Sequence, residues 1–261
     1  MKIFTKPELI EKLIEISNRG WIENARHGNH GGIGNTLEDL LGIEENNLPI
    51  PNASEWELKT ARLNSKALTT LIHIEPSPRA LNIVPGILLP HYGWKHKQAG
   101  LKYPLTEKSF RQTIHGMSHS NRGFRVMIDR INQKIIISFT SGNIDKVHKS
   151  WSKSVLKSIG HNELNPQPYW GFDDLRNVVG RKLPNCFYVQ ALVKKENGKE
   201  FYHYTKITML EKFNFDGFLD LIEEGNILVD FDARTGHNHG TKFRLRQNQF
   251  PRLYKKVTTI L

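Results

Sequence analysis

The chain has 261 residues, with 37 Lys and Arg against 26 Asp and Glu and a formal net charge of +11. That length can bury a full core as one large domain or two lobes, and a positive excess of this size attracts a polyanion and steers it in at long range. The single Cys186 excludes an intramolecular disulfide framework, no apolar run is long enough for a membrane span, and Met1-Lys2-Ile3-Phe4 begins no signal peptide, so a soluble cytoplasmic protein is expected.

Residues 6–18 place Leu9, Ile10, Leu13, Ile14 and Ile16 at largely helical spacing, with Gly20 after the stop. A polar loop rich in Gly and His covers 23–34, and Asn35-Thr36-Leu37-Glu38 reads as the start of a second helix that ends at Gly42. Residues 55–60 and 66–74 read as strands. The stretch 76–122 is punctuated by Pro, Gly and His and reads as loop with short elements. Strands at 124–130 and 134–140 flank a turn at Ile131-Asn132-Gln133, and strands at 186–194 and 200–206 flank the stronger turn signal Asn197-Gly198. A helix at 215–224, strands at 226–232 and 241–246, and a short helix at 248–257 complete the chain. The expected fold is mixed α/β with one central sheet and an inserted loop-rich lobe.

The chemistry concentrates in Asn52-Ala53-Ser54-Glu55-Trp56-Glu57-Leu58-Lys59, with Glu38 on the helix before it. Glu57 and Lys59 are two apart and share one face of a strand. A carboxylate on a hard cation, with an ammonium beside it, activates water and offsets charge on a phosphodiester. Glu55 shares that face as well, and a half-exposed strand of any protein alternates in the same way.

Asn35-Thr36-Leu37-Glu38-Asp39-Leu40-Leu41, Glu45-Asn46-Asn47, Glu55-Trp56-Glu57-Leu58-Lys59 and the C-terminal His237-Asn238-His239-Gly240-Thr241-Lys242-Phe243-Arg244 resemble the signature of MutH-like nucleases, above all type II restriction enzymes of the BcnI/MvaI group. The likeness covers most of the chain except roughly 76–180. It implies a PD-(D/E)xK restriction-endonuclease-like fold, a single MutH-like domain over 1–261 whose two lobes form a DNA cleft. The catalytic lobe would hold about 1–75 with parts of 124–206, and the recognition lobe about 207–261. It further implies Mg²⁺-dependent hydrolysis of double-stranded DNA at a CC-N-GG type of site, by a monomer that nicks one strand and then the other. Glu38 would be the carboxylate over the site, Asn52 and Glu57 the metal ligands, and Lys59 the lysine beside the attacking water. Asn52 stands where the family pattern has Asp, and an amide brings a ligand oxygen without its charge, so impaired cleavage is expected. Glu55 is the alternative ligand. A strand-nicking mismatch-repair endonuclease of the MutH type and a non-cleaving DNA-binding protein are the competing expectations.

The C-terminal run supplies groups that read base edges: Arg is the commonest reader of guanine in the major groove, and His and Asn donate to base acceptors. Two His two apart suit zinc only with further ligands, and none is evident nearby. The resemblance assigns His237, His239 and Arg244 to the DNA, with Lys242 on the strand face of Arg244 and His73 near the centre of the site. A lone His in an apolar strand is as often a core residue. Clusters at Arg79, Lys95-His96-Lys97, Arg122, Arg125, Lys146 to Lys157 and Arg181-Lys182 are candidate phosphate contacts.

Overall fold

The computed structural model describes residues 4–24, 32–43, 56–63, 65 and 67–261. Asn52 and Glu55 lie outside the described residues. The elements run α1 (Lys6–Asn18), β1 (Ile22–Glu23), α2 (Gly32–Leu41), β2 (Trp56–Arg62), β3 (Leu68–His73), α3 (Leu89–Tyr92), β4 (Trp94–Lys95), β5 (Lys108–Ile114), β6 (Arg122–Asp129), β7 (Lys134–Ile144), α4 (Lys149–Ile159), β8 (Tyr169–Gly171), α5 (Phe172–Lys182), β9 (Asn185–Glu196), β10 (Lys199–Phe213), α6 (Phe215–Glu223), β11 (Ile227–Arg234), β12 (His237–Asn238), β13 (Lys242–Arg246) and β14 (Tyr254–Thr259). A turn of π-helix over Ile83–Leu88 leads into α3, and a 3₁₀ segment over Gln247–Leu253 leads into β14.

Two compact units result. The first comprises Met1–Thr69, Asn177–Gly217 and Gln247–Leu261. Its sheet has the order β1-β10-β9-β2, with β14 also on β10. Every pairing is antiparallel except β2 on β9, which is parallel. The β9–β10 hairpin turns at Asn197 (φ 50°) and Gly198 (φ 77°), the two left-handed positions that an Asn-Gly turn supplies. Thr5 and Glu8 close a reciprocal capping box at the start of α1. Leu9, Leu13 and Ile16 of α1 and Ile33, Leu37 and Leu41 of α2 then bury against Trp56, Leu58, Phe187, Val189, Tyr202 and Tyr204 of the sheet. The helical period of the first set and the strand period of the second meet in one core.

The second unit comprises Thr70–Arg176 and Phe218–Arg246. One sheet has the order β3-β13-β11-β5-β4 with β12 on β11, and a smaller one the order β6-β7-β8. Phe124 joins their aromatic core: its ring centroid lies 5.5 Å from Phe110, 5.0 Å from Phe139 and 5.5 Å from Tyr92. Trp170 packs edge-on against Phe243 at 5.0 Å and donates its indole N–H to the Ile74 carbonyl.

Three sheets replace the single central sheet expected. Strands β6 and β7 pair with β8 in the second unit, while 207–213 and 254–259 lie in the first, where β14 pairs with β10. The short helix expected at 248–257 is a 3₁₀ turn followed by β14, whose backbone groups satisfy the outer edge of β10. Strand β5 and helices α4 and α5 are additions to the elements expected from the sequence. Helix α4 buries only Val155, too thin an apolar stripe to announce itself.

Leu37 is fully buried one residue before Glu38. Its replacement by Ala is expected to cost about 2–5 kcal/mol, the usual range for emptying such a site, measured as the shift in a urea unfolding curve.

Candidate active site

Glu57 lies in β2 with Trp56 and Leu58 beside it, and all three are buried. Its carboxylate, only 1% exposed, is gripped from two sides. Lys59 Nζ stands 2.6 Å from Oε1, and Lys182 Nζ, in the last turn of α5, stands 3.3 Å from Oε2. A carboxylate this buried is costly unless it is paired and hydrogen-bonded, and two ammonium groups meet that requirement. The parallel register puts Cys186 opposite Glu57 and Tyr188 opposite Lys59. Burial pushes the Cys186 thiol up, and the charge of Glu57 pushes it further. Burial, with Cys186 and Glu57 beside it, also holds the Tyr254 phenol well above its ordinary value. Both groups are therefore held in their neutral forms.

Helix α2 carries Glu38, half-buried, and packs on β2. Glycine makes that approach possible: a Cβ on Gly34 would come within 3.2 Å of Thr60 Oγ1, and one on Gly32 would meet the Tyr202 hydroxyl at 2.5 Å. The Tyr204 hydroxyl donates to the Ile33 carbonyl at 2.8 Å and fixes the start of the helix. Glu38, Glu57 and Lys59 thus share the first unit on adjoining elements.

The other candidates assemble in the second unit. His73 ends β3, and a Cβ on Gly240 would lie 3.8 Å from its Nδ1, so His73 adjoins the His237–Lys242 segment. The His237 and His239 rings meet edge to face at 4.2 Å. Glu75 holds this segment: its carboxylate accepts from Thr241 N (2.9 Å), Thr241 Oγ1 (3.0 Å) and Asn238 Nδ2 (3.3 Å). Lys242 and Arg244 share a face of β13, and Arg244 Nη1 is paired with Asp230 Oδ2 at 3.2 Å while Thr113 Oγ1 donates to Asp230 Oδ1. His239 also lines a cleft of about 850 Å³ with Arg111, Asp232, Arg234 and Tyr103. Arg234 lies over the Tyr103 ring at 4.7 Å and reaches Glu107 at 3.2 Å.

With this geometry in place, the comparisons with known proteins are specific. The sequence matches the MvaI/BcnI restriction endonuclease family over residues 10–254. The chain belongs to that family. The structure is similar to restriction endonuclease MvaI in its cognate DNA substrate complex, with a TM-score of 0.77 and 27% identity over 99% of this chain and 100% of that one. It is similar also to MvaI in the absence of DNA, with a TM-score of 0.58 and 28% identity over 100% of both chains. No curated protein matches at the same level of significance. The protein is thus a restriction endonuclease by family, with the PD-(D/E)xK type of fold expected from the sequence.

Of the metal ligands expected for such a nuclease, Glu57 is described and Asn52 is not. Among the described residues, no group of three or more His, Cys, Asp or Glu is placed to hold a metal ion. Glu57 fits as one hard oxygen donor, buried and fixed by its strand. Sequence reasoning missed the pairing of Lys182 with Glu57, the role of Glu75 and the Arg111–Arg234 cleft. The acidic start and basic end of α5 (Asp173, Asp174; Arg181, Lys182) were the available signal for the helix that delivers Lys182.

Conversion of Glu75 to Gln removes the charge that receives three donors. Amide hydrogen exchange at Thr241 is expected to quicken about tenfold or more, a local loss on the order of 1–3 kcal/mol, with the β2–β9 amides unchanged.

Proposed function

We propose that this restriction endonuclease is a type II enzyme that hydrolyses double-stranded DNA with Mg²⁺ at a short sequence of the CC-N-GG type. It acts as a monomer, nicking one strand and then the other, and Asn52 leaves this form impaired. The observation that carries the reading is Glu57, buried on β2 and held by Lys59 in a chain of this family. MvaI forms a complex with its cognate DNA substrate, and the similarity of this chain to that complex supports duplex DNA as the ligand. The formal charge of +11 supports it too.

In this reading Glu57 and Asn52 would hold the cation, which when bound would supply Lewis-acid polarisation of the phosphoryl oxygen and make a nearby water more acidic. The residues of the chain do the rest. Lys59 lies two residues along the same strand face and positions the attacking water. Glu38 approaches on α2 from the adjoining helix. In the second unit His73, His237, His239, Lys242 and Arg244 read the duplex. Arg244 arrives already oriented by Asp230, which lowers the entropy lost when its planar fork meets guanine.

A non-cleaving DNA-binding protein is the second reading, and one observation favours it. Both oxygens of Glu57 are engaged by ammonium groups, which compete with a cation for the same carboxylate, and an amide at residue 52 adds no charge to attract one.

Supercoiled plasmid incubated with Mg²⁺ and this chain, beside its Asn52→Asp form, tests the proposal. Little or no cutting by the first and site-specific cutting by the second is the expected result, with an open-circular intermediate at low enzyme concentration. Silence from both would overturn the nuclease reading. Conversion of His239 or Arg244 to Ala is expected to weaken binding to the cognate site by about 1–3 kcal/mol and to relax specificity. Equal loss on every sequence, measured by competition with unrelated duplexes, would remove those residues from base recognition.

A further inference from the structure

The second unit contains another cleft, of about 760 Å³, between the β4 region and α4. Its central group is Arg122. The guanidinium lies 3.9 Å from the ring centroid of Trp94 and 4.7 Å from that of Trp151, two indoles set nearly perpendicular at 85°. Trp151 is fixed in turn by its N–H donating to the Tyr92 carbonyl at 3.1 Å. Arg122 Nη1 is sealed from solvent and makes no hydrogen bond among the described residues, and burial draws the guanidinium pKa down. Beside it, His148 Nε2 is likewise buried without a partner among them. Lys95 and Lys108 add two further cations to the lining, to which no described Asp or Glu contributes.

Arg122 as a whole is half-buried, and an arginine drawn even partly out of water is ordinarily paired with a carboxylate, because desolvating an uncompensated cation is expensive. Here two indole faces replace part of the lost hydration by cation–π attraction. They also lock the guanidinium plane while supplying no counter-charge. A concave surface whose charged lining residues are all basic concentrates positive potential, and a held guanidinium edge matches the paired oxygens of a phosphate. The cleft has room for a nucleotide-sized group. Trp94 lines this cleft and also the one that carries His239, so the two clefts adjoin.

We propose that this cleft is a binding site for the phosphate group of a nucleotide, with Arg122 as the clamp and Lys95 and His148 flanking it. The phosphate has two sources: a phosphodiester of bound duplex DNA, which rests on the function proposed above, or a free nucleotide, which does not.

The test uses the full chain and its Arg122→Gln form. Binding to a cognate and an unrelated duplex of about 20 base pairs is measured between 50 and 200 mM salt, roughly the range over which phosphate contacts dominate the dependence. Intrinsic tryptophan fluorescence is then titrated with AMP and with inorganic phosphate. If the source is the duplex, Arg122→Gln weakens both duplexes by about tenfold and lowers the slope of log K against log salt by about 1. If the source is a free nucleotide, AMP quenches the parent chain saturably, Arg122→Gln abolishes the quenching, and duplex binding is unchanged. Unaltered salt slopes together with no saturable response to AMP or phosphate overturn the proposal. If Arg122→Gln does not fold, Lys95→Gln on the exposed rim replaces it, with the same two readouts. A parent chain that binds no duplex at all defeats the function proposed above, while the AMP titration still decides the cleft.

Discussion

The parallel pairing of β2 with β9 is the constraint on which the rest of the first unit depends. Parallel strands cannot be joined by a tight turn, so the chain leaves β2 and returns to its side only after more than a hundred residues. The second unit is built largely within that excursion. The same pairing decides the electrostatics. Strand β2 ends the strand order of its sheet, and Glu57 on it is nevertheless hidden, with the help of two ammonium partners. Lys59 comes from the strand itself. Lys182 comes from the end of the helix that brings the chain back to β9, so the return path and the charge balance are settled by one segment.

Charge is handled differently in the two units. Around Glu57 the opposite charges meet at close range and restrain one another. In the second unit Asp230, Glu75 and Glu107 hold polar groups in fixed directions, on Arg244, Thr241 and Arg234 respectively. Arg122, by contrast, is held between two aromatic rings. The basic surplus of the chain is thus partly structural, and the part without acidic partners is the part suited to a polyanion.

Legibility in the sequence follows the range of the interactions. Helix α1, the β9–β10 hairpin and α6 were readable because a capping box, an Asn-Gly turn and an amphipathic period act over a few residues. Glu57 and Lys59 were readable together because two residues on one strand share a face. The partnership of Lys182 was not, since it reaches Glu57 through tertiary packing across more than a hundred positions. Strand β14 was mistaken for a helix for the same reason: Tyr254–Thr259 has weak local character, and the open edge of β10 decides its state. The likeness to a nuclease family was legible in four short motifs, whereas the loop-rich reading of 76–122 hid β5, an inner member of the second unit's larger sheet.

Cys186 gives the buried sheet a chemical consequence. It is the one thiol in the chain, it sits in register with Glu57, and its burial keeps it in the unreactive protonated form. A thiol reagent added in solution meets nothing until β9 separates from its neighbours. The rate at which the protein is labelled therefore counts openings of the strand pair that carries Glu57, which makes this cysteine a native clock for the integrity of the site.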